Sequence, residues 1–162
     1  MDAVFCGTFD PVTIGHMDII ERAAALFDHL TVIVTPNSEK KTMFNDTFRQ
    51  QLLKACCRHL PNVDIEIAAG LATQACRARG ARILIRSLRS AADCDYEQNM
   101  AAVNALIDPA IETIFLFGKP EHTYISSSNV RELLRYGLDI SSLVPPAAAK
   151  LIKEETDHEH IC

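Results

Sequence analysis

Between residues 7 and 16 the chain reads Gly-Thr-Phe-Asp-Pro-Val-Thr-Ile-Gly-His, directly after the apolar run Ala3–Cys6. A plain strand-to-helix connection needs two to six residues. This one is longer, and it carries small hydroxyls, two glycines and a histidine where a helix begins. Free backbone amides at a helix start form a ready anion site, and His16 can add a side-chain N–H to the same anion. Gly7 permits close approach to the backbone. The structural alternative is that Gly7 turns the chain and His16 caps a helix.

Three further stretches carry matching chemistry. Arg86 and Arg89 follow the apolar residues 83–85 in Leu-Ile-Arg-Ser-Leu-Arg, and guanidinium forks suit phosphate oxygens. Their alternative is ion pairing with Asp93, Asp95 or Glu97. Lys40-Lys41 lies in a polar loop and on its own reads as solvated charge. Ser126, Ser127 and Ser128 precede a helical pattern that contains Arg131, and three hydroxyls exceed what one N-cap requires. A serine-rich cap is the alternative there. Together these cations, hydroxyls and helix starts describe a phosphate site. The chain has no GxGxxG fingerprint after its first strand, no GxxxxGK[ST] loop and no GxSxG elbow, so the commonest dinucleotide, P-loop and hydrolase readings are unsupported.

These residues must be held by a scaffold, and the apolar pattern supplies one. Strands are predicted at 3–6, 30–35, 63–67, 82–85 and 113–117. Helices are predicted at 18–27, 47–60 (capped by Asp46), 71–79 (ending at Gly80), 91–107, 128–136 (closed by Gly137) and 145–154. Short apolar strands alternating with helices imply an α/β fold. The expected architecture is a single-domain, doubly wound, Rossmann-like five-stranded parallel sheet spanning residues 1–162, with helices on both faces and at the C-terminal end. Residues 156–162 are expected to be a frayed tail. In such sheets ligands bind beyond the C-terminal strand ends, so every motif above falls on a strand-following loop.

Bulk properties narrow the function. The chain has 162 residues, a formal net charge of −5 and 48% hydrophobic residues. An acidic balance argues against nucleic acid as a partner. No apolar run approaches the ~18 residues that span a bilayer, and no signal-peptide pattern is visible, so the expectation is a cytoplasmic protein with no membrane partner. The six cysteines form no CxxC pair and read as reduced, mostly buried thiols.

Taken together the motifs resemble a known family. Thr13-Ile14-Gly15-His16 resembles the T-x-G-H form of the H-x-G-H signature of nucleotidyltransferases, and residues 125–131, Ile-Ser-Ser-Ser-Asn-Val-Arg, are similar to that superfamily's I-S-S-S-x-x-[RK] signature. Lys-Lys-Thr-Met-Phe at 40–44 and the block 84–97 resemble segments of the phosphopantetheine adenylyltransferases in particular. The resemblance runs in order through the chain up to the last helix.

The resemblance implies a reaction: ATP and 4′-phosphopantetheine give dephospho-coenzyme A and pyrophosphate. It implies Mg²⁺, a homohexamer and inhibition by coenzyme A. By motif position it places Thr8, Lys40, Ala72 and Arg86 on phosphopantetheine. It places Thr8, Phe9, His16, Ser87, Leu88, Arg89, Glu97, His122, Thr123, Tyr124, Ile125, Ser126, Ser127 and Ser128 on ATP, with Ser87 and Leu88 acting through backbone. His16, Lys40, Thr8 and Arg89 are the expected catalytic set, and no metal ligand is assigned. The chain departs from the family's commoner residues at Ile14 (often Asn), Ala72 (often bulkier), Ser87 (often Gly) and His122 (often aromatic). Ser87 is compatible only with a backbone that needs no positive φ.

Overall fold

Five parallel strands form one sheet in the order β3-β2-β1-β4-β5. They are β1 (Asp2–Gly7), β2 (His29–Val34), β3 (Val63–Ile67), β4 (Ile83–Leu88) and β5 (Glu112–Phe117). The helices are α1 (Ile14–Leu26), α2 (Asp46–Cys56), α3 (Ala72–Ala78), α4 (Ala91–Ile107), α5 (Ser127–Arg135) and α6 (Pro146–Glu159), with a 3₁₀ turn at Pro120–His122. The structure, a computed structural model, describes residues 1–36 and 41–159. Lys40, expected at the site, lies outside the described residues, as do residues 160–162.

The period-2 pattern of the strands sorts the core onto two faces. Ala3, Phe5, Leu30, Val32, Val34 and Ile85 join the large cluster on one face, with Ile19, Ile20, Leu52, Leu53 and Ile152 from the helices. Val4, Cys6, Ile33 and Leu84 join a smaller cluster with Cys76, Ala81 and Ile111 on the other. Burial pushes the Cys6 and Cys56 thiols up to about 11, and those of Cys57 and Cys76 up to about 12. All four therefore stay protonated at neutral pH, as buried small hydrophobes do.

Topology makes the site. The chain runs from β1 outward through β2 to β3, then crosses back to lay β4 on the other side of β1. The switch point is thus between β1 and β4. β1 pairs with β2 through Gly7↔Val34, and β4 pairs with β5 through Leu88↔Phe117. Between β1 and β4, however, pairing stops at Phe5↔Ile85. The two central strands part beyond that point, so Cys6–Thr8 and Arg86–Leu88 face each other across a crevice.

Several element boundaries differ from those the pattern predicts. β4 extends through Arg86 and Ser87 because pairing with β5 continues past the apolar segment, so Arg86 sits within a strand rather than after it. α1 starts at Ile14, four residues before the apolar periodicity sets in, because Thr13 caps it. The cap of α2 is Asn45, whose side chain accepts the Phe48 N–H at 2.8 Å, and not Asp46. α6 continues to Glu159, so the predicted tail is helical over 156–159. Gly80 and Gly137 do close α3 and α5, each at φ +66°.

Candidate active site

Two cavities open along the crevice and meet at four residues. The first, about 300 Å³, lies between the start of α1, the end of β4, the 118–123 segment and the start of α5. Thr8, Phe9, Thr13, Gly15, His16, Ser87, Arg89, Asp93, Glu97, Lys119, His122, Thr123, Ile125 and Ser126–Ser128 line it. The second, about 450 Å³, lies toward α3 and α4, against Cys6, Gly7, Thr35, Gly70, Leu71, Ala72, Arg86, Met100 and Asn104. Thr8, Phe9, His16 and Ser87 line both.

His16 sits at this junction, and its state follows from local geometry. Thr13 is the N-cap of α1 and His16 its third residue, and the two form a capping box. The His16 N–H donates to Thr13 Oγ1 at 3.3 Å, and the Thr13 N–H donates to His16 Nδ1 at 3.1 Å. An Nδ1 that accepts a backbone N–H carries no proton, so the neutral ring holds its proton on Nε2. Burial, with the Arg89 charge adding to it, lowers the His16 pKa to about 4. One ring nitrogen of His16 therefore caps the helix, and the other is left as a neutral donor at the cavity junction. The Phe9 ring meets the imidazole edge-on at 5.1 Å and Phe5 at 5.5 Å, fixing the imidazole from the core side.

Phe9 occupies the left-handed region at φ +49°. A non-glycine residue there stores about 1–2 kcal/mol of strain, which the buried ring offsets. This fold-back also explains Gly7. A Cβ at Gly7 would lie 2.8 Å from Phe9 Cζ, so the missing side chain makes room for the Phe9 ring.

Arg86 and Glu97 form a two-pronged ion pair, with Nε donating at 2.7 Å and Nη2 at 2.6 Å. Arg86 lines the second cavity and Glu97 the first, so the pair bridges them. Burial pulls the Arg86 pKa down, but the Glu97 hydrogen bonds and charge more than offset this and leave it raised. Two of the five guanidinium donors are thus taken, and Nη1 is not among them. Arg89, in the first cavity, has Nε 3.8 Å from Asp93, whose carboxylate also accepts the Arg89 and Ser90 amides. Arg86 and Arg89 thus each meet the ion-pairing alternative and still line a cavity.

The three serines do three different jobs. Ser126 caps α5 by accepting the Asn129 N–H at 3.1 Å, Ser127 donates to the Pro11 carbonyl at 2.8 Å, and Ser128 accepts from Arg131 at 3.2 Å. Arg131 also donates to the Asp10 carbonyl at 2.6 Å. The two signature loops are therefore stitched together, which brings the N-termini of α1 and α5 to one cavity.

Most other expected residues line a cavity, with qualifications. Ala72 lies in the second cavity only. Leu88 is buried, and its carbonyl accepts the Gly118 N–H at 2.8 Å. Tyr124 is 66% exposed and lines neither cavity. Among the departures from the family, Ser87 lies in regular strand without positive φ, which meets the condition set for it. Ile14 packs against the large core cluster and faces neither cavity. His122 lines the first cavity, and its Nδ1 is buried without a hydrogen-bond partner among the described residues.

Sequence patterning did not single out several residues here. Lys119 lines the first cavity with its Nζ 3.1 Å from Asp18, a buried carboxylate that Arg22 also pairs. Burial raises the Asp18 pKa, but its hydrogen bonds to Lys119 and Arg22 hold it below the usual range. Asn104, an amide on the buried stripe of α4, lines the second cavity. Arg49 of α2, 0% exposed, is the third; nothing in a helix pattern marks one arginine as fully buried.

Comparisons with known proteins agree with this geometry. The cytidylyltransferase-like family matches residues 4–133. A phosphopantetheine adenylyltransferase from Symbiobacterium thermophilum is 43% identical over 94% of this chain and 94% of its own. The chain belongs to the phosphopantetheine adenylyltransferase family. Relatives of the same description from a Synechococcus species and from Shouchella clausii are 42% and 41% identical, covering 95% and 94% of this chain and 97% and 96% of their own. A solved structure from Vibrio parahaemolyticus, assigned provisionally as a nicotinate-nucleotide adenylyltransferase, matches with a TM-score of 0.71 at 20% identity, covering 95% of this chain and 92% of its own. That likeness shows the shared fold alone. As a member of this family the chain is a nucleotidyltransferase, and its nearly full-length correspondence to the relatives takes in both cavities.

Proposed function

We propose that this chain transfers the adenylyl group of ATP to 4′-phosphopantetheine, giving dephospho-coenzyme A and pyrophosphate, by in-line attack without a covalent intermediate. The observation that carries the reading is the junction of two cavities at Thr8 and His16. One cavity has two helix N-termini, Arg89, Lys119 and the serines, as a triphosphate requires. The other is larger and more apolar, and Arg86 lines it next in sequence to Ser87 of the junction, as suits a phosphate on a pantetheine arm.

The attacking phosphomonoester has a second pKa near ~6 and is largely a dianion at neutral pH, so no general base is needed. The work is to bring two anions together in line and stabilise the charge that develops. Lys40 and Arg86 hold the attacking phosphate. Thr8 and the Nε2–H of His16 donate to the α-phosphate as it becomes five-coordinate. Arg89 and Ser126–Ser128 receive the leaving pyrophosphate. A histidine that is already neutral neither loses nor gains a proton in this step, so it serves as a donor only.

Mg²⁺ is expected with ATP, but the described residues do not build a protein site for it. The carboxylates lining the first cavity, Asp93 and Glu97, are engaged by Arg89 and Arg86, and no group of three or more metal-ligating side chains occurs among the described residues. The ion would arrive with ATP as its counter-ion, with phosphate oxygens supplying most of its ligands. Coenzyme A carries the same pantetheine arm as the acceptor and competes for the second cavity as an inhibitor.

The test is pyrophosphate release from ATP and Mg²⁺ with 4′-phosphopantetheine, with nicotinate mononucleotide, and with no acceptor. Release with phosphopantetheine alone is the expected result. Release only with the nucleotide would overturn the substrate assignment.

Assembly as a homohexamer in the cytoplasm belongs to the same proposal. Among the described residues no helix is long and apolar enough to cross a membrane. α4 supports assembly: it turns the polar Glu97 and Asn104 inward toward the cavities and leaves Tyr96, Val103, Leu106 and Ile107 exposed. An apolar stripe of this extent on a lone chain marks an interface, and closed homo-oligomers are the usual outcome. Light scattering is expected to give the hexamer mass for the wild type and a smaller species for Val103→Glu. An unchanged mass in the variant would remove α4 from the interface.

A further inference from the structure

We propose that Arg49 is a positioning residue that fixes the Thr8 peptide for catalysis, and this rests on the reaction proposed above. Arg49 is 0% exposed. Its Nε donates to the Phe44 carbonyl at 3.1 Å, and its Nη1 donates to the Thr8 carbonyl and, at 3.4 Å, to the Thr35 carbonyl. Its Nη2 pairs with the Asp46 carboxylate. One guanidinium thus joins the loop after β1 to the end of β2 and to the start of α2.

Asp10 closes the same joint from the other side. It is 3% exposed, and its two carboxylate oxygens accept the Met43 N–H at 2.8 Å and the Phe44 N–H at 2.9 Å. Phe44 is therefore held at both its amide and its carbonyl. Residues Thr8 to Asp10 have no freedom to slide against 43–44.

Stability alone is a poor reason to place a cation there. A buried charge loses its hydration, and an apolar side chain of similar volume would often serve the core as well or better. What an apolar side chain cannot do is reach three carbonyls at fixed angles. The planar five-donor fork can, and lysine's three donors on a flexible stem cannot. The arginine sets where the Thr8–Phe9 peptide lies, and with it the Thr8 hydroxyl and the Phe9 ring that backs His16. Displacing reacting groups by about 1 Å costs on the order of 100-fold in rate.

The test uses Arg49→Lys, Arg49→Gln and Asp10→Asn in the full chain, with steady-state kinetics well below each variant's melting temperature. ATP binding is measured separately by calorimetry. Asp10→Asn keeps volume and one acceptor but cannot accept both amides, so it loosens the same joint should the Arg49 variants fail to fold. The expected result is a drop of about 100-fold in kcat, with KM for both substrates and the ATP Kd within a few-fold of wild type. A folded variant with near-normal kcat overturns the proposal, as does a loss that appears only in KM or in melting temperature. Partial recovery in Arg49→Lys over Arg49→Gln is expected, because one charged donor is retained. An inactive wild type would sink the reaction itself and the positioning role with it, whereas an active wild type with active variants would sink the positioning role alone.

Discussion

Replacing His16 by glutamine is expected to lower turnover by about 100- to 1,000-fold while leaving the fold intact. The substitution is chosen from the capping geometry. Glutamine is a standard third-position partner in a capping box, and its side-chain oxygen can accept the Thr13 N–H that His16 Nδ1 now accepts. It therefore retains the cap while removing the ring N–H at the junction of the cavities. His16→Ala loses both functions. It is expected to lose a similar factor in turnover and, in addition, on the order of 1 kcal/mol of stability with the cap. Near-normal turnover in His16→Gln would show that the histidine is only a cap.

The same variant has a pH signature. The folded pKa of His16, about 4, lies below the ordinary value of 6.5. As pH falls through 6.5 the unfolded chain takes up this proton first, so wild-type stability declines between about pH 6.5 and 4. His16→Gln lacks that component, and denaturant melts across this window measure the difference. Activity should show no inflection from His16 between pH 5 and 8. The acid limb near ~6 belongs to the phosphate of the acceptor, and it remains in the variant.

Arg86→Met is expected to lower turnover by about 1,000-fold and stability by about 3 kcal/mol. Two effects combine. The acceptor phosphate loses a cation, and Glu97, 9% exposed, is left as an unpaired carboxylate between two anion-binding cavities. The double variant Arg86→Met with Glu97→Gln separates them. Removing the orphaned charge is expected to restore most of the stability and little of the turnover. Chemical denaturation and pyrophosphate release on the three proteins decide the matter. Recovery of full turnover in the double variant would mean that Arg86 serves only to neutralise Glu97.

Much of this protein is legible in the chain because its signals are local. The β1 run and the segments at 30–35, 63–67 and 113–117 read as strands, since each is short and bounded by polar turns. Gly80 and Gly137 end their helices as glycines do. Thr13, His16, Arg89 and Ser126–Ser128 are groups suited to an anion by residue type and by their place after strands, and Arg86 by residue type. The limits of the reading are equally physical. The polar Arg86-Ser87 pair hides a strand that continues because β5 pairs with it. Likewise, the helical pattern of α1 reads only from Asp18, whereas its first turn is set by a cap.

Other features have no local signal. Arg49 looks like any helical arginine until α2 packs beneath the first loop and the carbonyls of Thr8, Thr35 and Phe44 converge on it. That Gly7 makes room for the Phe9 ring shows only once that ring folds back over it. The outward apolar stripe of α4 cannot be told from core by composition, because what decides it is that Glu97 and Asn104 are needed inside. The sequence by itself determined the element order, the parallel sheet and the list of groups that can hold phosphate, since propensity, periodicity and donor chemistry act over a few residues. Only the tertiary structure decided how those groups divide between two cavities, which ring nitrogen of His16 is free, and which buried cation holds the loop. Each of these depends on where β1 and β4 part, which the pairing of distant strands fixes.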